Sequence, residues 1–240
     1  MGYSNPRVAV FTLTRDRLEF TQICLASLRD RAGYPFDHFV IDNGSEDGTQ
    51  EWLTQEAKAS RIAYLETLSE NRGISYGRNR AIDIIQERGG YDLIIKFDND
   101  CRVLTEDILG RIAGFYQHAA EDDRTFVISP RVVGIVNQPA RHGTGQEFGE
   151  KFGLTGVVGG LFQVVPSSLY DNYRFPKDLP LALGGDAAFA KWLVGKASVG
   201  YLEDLVVEHY LTTEGQVGRY PDYFTRKYQE EDTYPNKEGS

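Results

Sequence analysis

The feature that most restricts the fold is an alternation over the first hundred residues. Short β-branched or aromatic runs take turns with longer stretches of helical periodicity. The runs are VAVFTL at 8–13, HFVID at 38–42, IAYL at 62–65 and DLIIKFD at 92–98. Between them Phe20, Ile23, Cys24 and Leu28, then Trp52, Leu53 and Ala57, then Ala81, Ile82 and Ile85 fall at helical spacing. Strands separated by helices pair in parallel, and runs this apolar are covered on both faces. The expected class is therefore α/β, with a Rossmann-like, mostly parallel central sheet flanked by helices.

After Asp100 the alternation stops. The sequence predicts a helix over 105–120 with Thr105 as N-cap and Glu106 and Asp107 in its first turn. It predicts a strand near 126–129, a long Gly, Pro, Gln and His-rich loop over 131–160, and an apolar run at 159–165. A helix over 186–194, a strand around 197–201 and a polar, Tyr-rich tail from 212 follow. At 240 residues the chain is near the upper limit for one hydrophobic core, so we expect a single domain, 1–240, with parts at about 7–103, 104–211 and 212–240.

Charge narrows the partners. Lys and Arg number 26 against 35 Asp and Glu, a net charge of −9, which disfavours nucleic acid and anionic lipid. Cys24 and Cys101 are too few for a disulfide framework and read as reduced, buried thiols. The N-terminus has no apolar signal region, and no stretch reaches the roughly 18 apolar residues of a membrane span. A soluble, cytoplasmic protein without a signal peptide is the expectation.

In a parallel sheet, ligands bind beyond the carboxyl ends of the strands. The first strand ends in TLTRDR at 12–17, the second in DNGSEDGT at 42–49 and the fourth in Asp98, Asn99 and Asp100, while the third helix opens with NRGISYGRN at 71–79. A D-x-D triplet alone is weak evidence, but at a strand end its carboxylates are hard ligands suited to Mg²⁺ or Mn²⁺ with a phosphate completing the shell. The segment at 42–49 reads as a turn and helix cap, yet that leaves unexplained why an acid, Asp42, ends a buried strand. Its carboxylate suits a nucleobase N–H or a ribose hydroxyl. Asn71, Gly73, Gly77 and Arg78 supply a turn and a cation at the same edge, suited to phosphate or base contact.

Taken in order, these motifs resemble the family 2 glycosyltransferases of the GT-A fold, over residues 7 to about 103 and more loosely over 156–210. The resemblance implies a nucleotide-sugar-binding half at about 7–103 and an acceptor-side, catalytic half at about 104–211. Thr12, Thr14 and Arg15 would line the nucleotide pocket, with Asn71, Gly73 and Asn99 beside it. Asp42 would contact the base, Arg78 the base or diphosphate, and Asp98 the ribose. Asp100 would hold Mn²⁺ or Mg²⁺, with His209 as a further metal ligand. Gly160 would let backbone approach the donor sugar. Gly184, Gly185 and Asp186 stand where the family has an acidic pair before a helix, and Asp186 would be the general base.

The function implied is transfer of a sugar, with inversion, from a nucleotide-diphospho-sugar, a UDP-sugar first, to an acceptor hydroxyl. A non-catalytic nucleotide- or sugar-binding module of the same fold is the alternative. A sugar-1-phosphate nucleotidyltransferase ranks lower, because no Gly-rich loop follows the first strand. In the tail Arg219, Tyr220, Tyr223, Phe224, Arg226, Lys227 and Tyr228 could stack on a sugar, a base or a partner, or dock an amphipathic helix.

Overall fold

The computed structural model describes residues 5–135, 139–177, 185–211 and 213–233. The chain begins β1 (Val8–Thr14), α1 (Leu18–Arg31), β2 (Phe36–Asp42), α2 (Thr49–Lys58), β3 (Tyr64–Thr67), α3 (Ile74–Arg88) and β4 (Leu93–Phe97). It continues through β5 (Cys101–Val103), α4 (Ile108–Glu121), β6 (Phe126–Val133), β7 (Gly143–Glu147), β8 (Glu150–Leu154) and β9 (Phe162–Pro166). The final elements are α5 (Gly185–Leu193), β10 (Ser198–His209), α6 (Thr213–Arg219) and α7 (Pro221–Thr233). Among the described residues these strands form one sheet in the order β3-β2-β1-β4-β9-β6-β10-β8-β7, with β5 on β10.

The sheet changes character at β4. From β3 to β4 every pairing is parallel, as the alternation of runs and helices dictates. Beyond it β9 runs antiparallel to both β4 and β6, and β10 runs parallel to β6 but antiparallel to β5 and β8. The sheet is thus parallel in its first half and mixed in its second.

Strand alternation sorts the core into two layers. In β4, Leu93, Ile95 and Phe97 pack with Cys24, Leu28, Ile112 and Phe115 under one face, while Ile94 joins Ile82, Ile85 and Phe189 on the other. Burying each such side chain contributes about 1.5–3 kcal/mol. Both cysteines are buried and unpaired. No helix among the described residues is long and apolar enough to cross a membrane.

Four expectations need correction. Helix α4 starts at Ile108 rather than beside Thr105, because Asp107 takes the cap position with φ 54° and the Thr105 hydroxyl accepts a hydrogen bond from Val206 N at 2.8 Å. The loop expected over 131–160 contains the β7–β8 hairpin. Its sequence, GTGQE into EKFGL, lacks an apolar alternation because β7 is exposed, and Phe148 and Gly149, both at positive φ, make a tight turn without the usual Asn-Gly signal. Strand β10 runs for 12 residues instead of five, continuing past an irregularity between Leu202 and Val206. That extension carries His209 opposite Cys101. The tail, within its described part, folds as α6 and α7.

Candidate active site

Parallel pairing brings the carboxyl ends of β1, β2 and β4 to one rim, with Thr14 in register with Asp42. A cleft of about 280 Å³ opens there. It is lined by Leu13, Thr14, Arg15, Arg17, Asn43, Asn71, Ile74, Arg78, Lys96, Asp98, Asn99, Asp100, Asp186, Tyr223 and Lys227.

The loop after β1 turns through Asp16 and Arg17, both with positive φ, and so throws the Arg17 side chain into the cleft wall. Its guanidinium donates to Asp100 Oδ2 at 3.2 Å, Asn99 Oδ1 at 3.0 Å and Gln216 Oε1 at 2.7 Å. It also lies over the Tyr223 ring at 4.7 Å. Asn99 in turn donates to the Thr14 and Thr21 hydroxyls, both at 3.1 Å. The middle residue of the D-x-D triplet therefore anchors the triplet to β1 and α1.

Opposite, Asn43 donates to Asn71 Oδ1 at 2.7 Å, and that oxygen also accepts from Gly73 N at 3.1 Å. Helix α3 begins at Gly73 without a side-chain cap, so the positive end of its dipole stands at the cleft beside Ile74. Four residues on, Arg78 is buried and faces Asp186 Oδ1 at 3.2 Å.

The floor is ionic. Lys96 is 2% exposed near the carboxyl end of β4 and pairs with Asp98 Oδ1 at 2.7 Å. Its ammonium also donates to the Gly160 carbonyl, and Gly160 N donates to Asp186 Oδ2 at 3.1 Å. A Cβ at 160 would stand 2.4 Å from Asp186 Oδ2 and 2.6 Å from Lys96 Nζ, so a side chain there would push these two charged groups from their places. Burial opposes the Asp186 charge, but Lys96, Arg78 and the Gly160 amide prevail and hold the carboxyl below its ordinary value. Asp98 goes the other way: burial pushes it up, more than Lys96 and Arg78 pull it down.

Asp100 and His209 form a pair at the same rim, Oδ2 to Nε2 at 3.6 Å. Burial works against both charges, yet each favours the other: His209 with Arg17 holds Asp100 well below the carboxylate range, and Asp100 raises His209. Because Arg17 takes the Gln216 amide oxygen, the amide nitrogen is turned toward His209 Nε2 at 3.2 Å. Nε2 and the Asp100 oxygen face each other, and because a neutral imidazole nitrogen has one lone pair, a cation held between them would take the place of that amide, which keeps the Tyr210 carbonyl at 3.2 Å as its other acceptor. Carboxylate oxygen with imidazole nitrogen suits Mn²⁺ or Mg²⁺. Among the described residues no group of three His, Cys, Asp or Glu forms a complete cage. Diphosphate oxygens and water would supply the other positions, as is usual for these ions at phosphates.

Two expected residues stay outside the cleft. Thr12 is fully buried, and its hydroxyl pairs with His38 Nε2 at 3.0 Å, two residues too early in β1 to reach the rim. Asp42 is also fully buried and accepts from Ser45 N at 2.9 Å, the Ser45 hydroxyl and Gln50 Nε2 at 2.7 Å. Its carboxylate fastens the β2–α2 turn, and burial raises it against those hydrogen bonds. Thr14, Arg15, Asn71, Arg78, Asp98, Asn99, Asp100 and Asp186 line the cleft, with Gly73, Gly160 and His209 in contact with lining residues. Of the expected Gly-Gly-Asp turn, Gly184 lies outside the described residues, while Gly185 and Asp186 open α5.

Arg17 and Lys96 were not singled out in the sequence. A lone lysine inside LIIKF was the available signal, since a charge in a doubly covered strand requires a partner. From the tail, Tyr223 and Lys227 form one wall, held by Arg226 on Asp16 at 2.9 Å and Glu46 at 3.0 Å.

Known proteins share this architecture. The family model described as Glycosyl transferase family 2 matches residues 9–167. A curated relative, the uncharacterized glycosyltransferase YfnE of Bacillus subtilis (strain 168), is 43% identical over 65 residues, which is 27% of this chain and 15% of YfnE. The mannosyltransferase PcManGT of Pyrobaculum calidifontis, solved with GDP-Man and Mn²⁺, superposes with a TM-score of 0.63 at 17% identity, covering 98% of this chain and 66% of that one. GalNAc-T7, solved with UDP, GalNAc and Mn²⁺, superposes with a TM-score of 0.68 at 14% identity, covering 88% of this chain and 44% of that one. The chain thus spans two thirds or less of each of these proteins.

Proposed function

The chain belongs to the family 2 glycosyltransferases, and we propose that it moves a sugar, with inversion and with the help of a divalent metal, from a nucleotide-diphospho-sugar to an acceptor hydroxyl. The observation that carries this reading is that Asp98 and Asp100, after β4, and Asp186, from the start of α5, line one cleft together with Arg17, Arg78 and Lys96. Carboxylates beside fixed cations form a site for an anionic donor and for a base.

In this reading Asp100 and His209 hold Mn²⁺ or Mg²⁺, which acts when bound as a Lewis acid on the diphosphate. Arg78 and the uncapped start of α3 attract the diphosphate, and Thr14, Arg15, Asn71 and Asn99 shape the nucleotide side. Asp98 faces the ribose. Asp186, kept ionised by its cationic neighbours, takes the proton of the acceptor hydroxyl as that oxygen attacks the anomeric carbon. Attack from the face opposite the leaving diphosphate inverts the configuration.

UDP in the GalNAc-T7 structure supports uridine as the base, and GDP-Man in the PcManGT structure makes guanosine the natural control. The test is release of nucleoside diphosphate from a panel of nucleotide sugars with acceptor, with and without Mn²⁺, for wild type and Asp186→Asn. Metal-dependent release that the substitution abolishes is expected. Nucleotide binding with no transfer or donor hydrolysis across the panel would leave a binding module in its place.

A further inference from the structure

Resting on that reading, we propose that Lys96 is a positioning residue for the transfer step, joining the donor-side carboxylate Asp98 to the base Asp186 through the Gly160 peptide.

Three contacts form one chain across the floor of the cleft. The Lys96 ammonium touches Asp98 Oδ1 at 2.7 Å and donates to the Gly160 carbonyl, and the amide of the same glycine donates to Asp186 Oδ2 at 3.1 Å. The two carboxylates belong to different halves of the molecule, one following β4 and one opening α5. Lys96 is the central link between them.

A structural role alone does not account for the residue. Neighbouring Leu93, Ile94, Ile95 and Phe97 are wholly buried apolar side chains, and an apolar residue fills a strand interior without the desolvation a charge carries. The pairing explains why an ammonium stands here: Lys96 meets Asp98 and Arg78 meets Asp186, one basic side chain to each acid. Without Lys96, Asp98 loses its ion-pair partner, and the Gly160 peptide that donates to Asp186 loses the contact that fixes its carbonyl.

The test uses the full chain and separates binding from turnover. Lys96→Met, similar in length but uncharged, is expected to lower kcat for transfer about 100-fold at saturating donor, with the Kd for nucleoside diphosphate and Mn²⁺ changing less than about threefold. In an Asp186→Asn background the same substitution is expected to add little, because the two residues act as a unit. Gly160→Ala gives an independent approach: its methyl falls between Lys96 and Asp186 without removing a charge, and it is expected to reproduce the kcat loss.

The inference is overturned if Lys96→Met keeps kcat within about threefold of wild type, or if its loss multiplies fully with Asp186→Asn. It is equally overturned if kcat falls only as nucleotide affinity falls. Should Lys96→Met fail to fold, an unchanged kcat in Gly160→Ala overturns it on its own. If the wild type transfers no sugar, the glycosyltransferase reading fails first, and that outcome is distinct from a wild type that transfers and a Lys96 variant that matches it.

Discussion

The turn after β2 and the cleft floor after β4 both end a buried strand in aspartate, but the two carboxylates are held differently. Asp42 is surrounded by uncharged donors, two of them from Ser45 three residues away. Asp186 meets Arg78 from α3, and Asp98 meets Lys96 two residues before it, whose ammonium reaches on to the Gly160 carbonyl. Uncharged donors fasten Asp42 into its own turn, while cations tie Asp98 and Asp186 to the cleft. A strand-end acid therefore reads as functional by the charge of its partners rather than by its position alone.

The largest effect that sharpens this contrast is expected at the floor. Asp186→Asn should lower kcat by about 10³-fold, within the range for losing a general base, with nucleotide affinity nearly unchanged in a titration of nucleoside diphosphate. Asp100→Ala should weaken Mn²⁺-dependent nucleotide binding by about 100-fold, measured by calorimetry with and without the metal. An equal loss without metal would remove Asp100 from the proposed ligand pair.

At the turn, Asp42→Asn should appear in the unfolding midpoint, at a cost of about 1–3 kcal/mol for donors left without an acceptor. A fall in nucleotide affinity beyond that of other destabilised variants would break the comparison and return Asp42 to the cleft. The smallest effect concerns the layer beneath. Burial lowers the His38 pKa to about 3. His38 is thus neutral when folded, while the unfolded chain gains a proton below its ordinary value of 6.5. The stability it contributes is present above pH 6.5 and is lost as pH falls toward 3, on the order of 1 kcal/mol between pH 7 and 5.5. Urea unfolding at the two pH values should show a smaller loss for His38→Gln. An equal loss would mean that other groups set the acid sensitivity.

Local rules made the first half legible. Apolar runs separated by helical stretches leave few ways to fold, so β1, β2 and β4 and the rim at their carboxyl ends could be read directly. The second half was less legible because its order depends on contacts remote in the chain. Strand β7 has no apolar face to betray it, and β10 passes through an irregularity that interrupts its pattern. The tail reads as polar until Phe224 is seen buried and Tyr223 stacked with Arg17.

The sequence by itself determined the α/β class, the parallel half of the sheet and most of the polar residues at its edge, because strand and helix periods and turn chemistry act over a few neighbouring residues. Only the tertiary structure decided which acids act together. It gave Asp42 to its own turn, brought His209 to Asp100 along a 12-residue strand, and set Lys96 between Asp98 and Gly160. Charges pair through space, and separation along the chain does not record that distance.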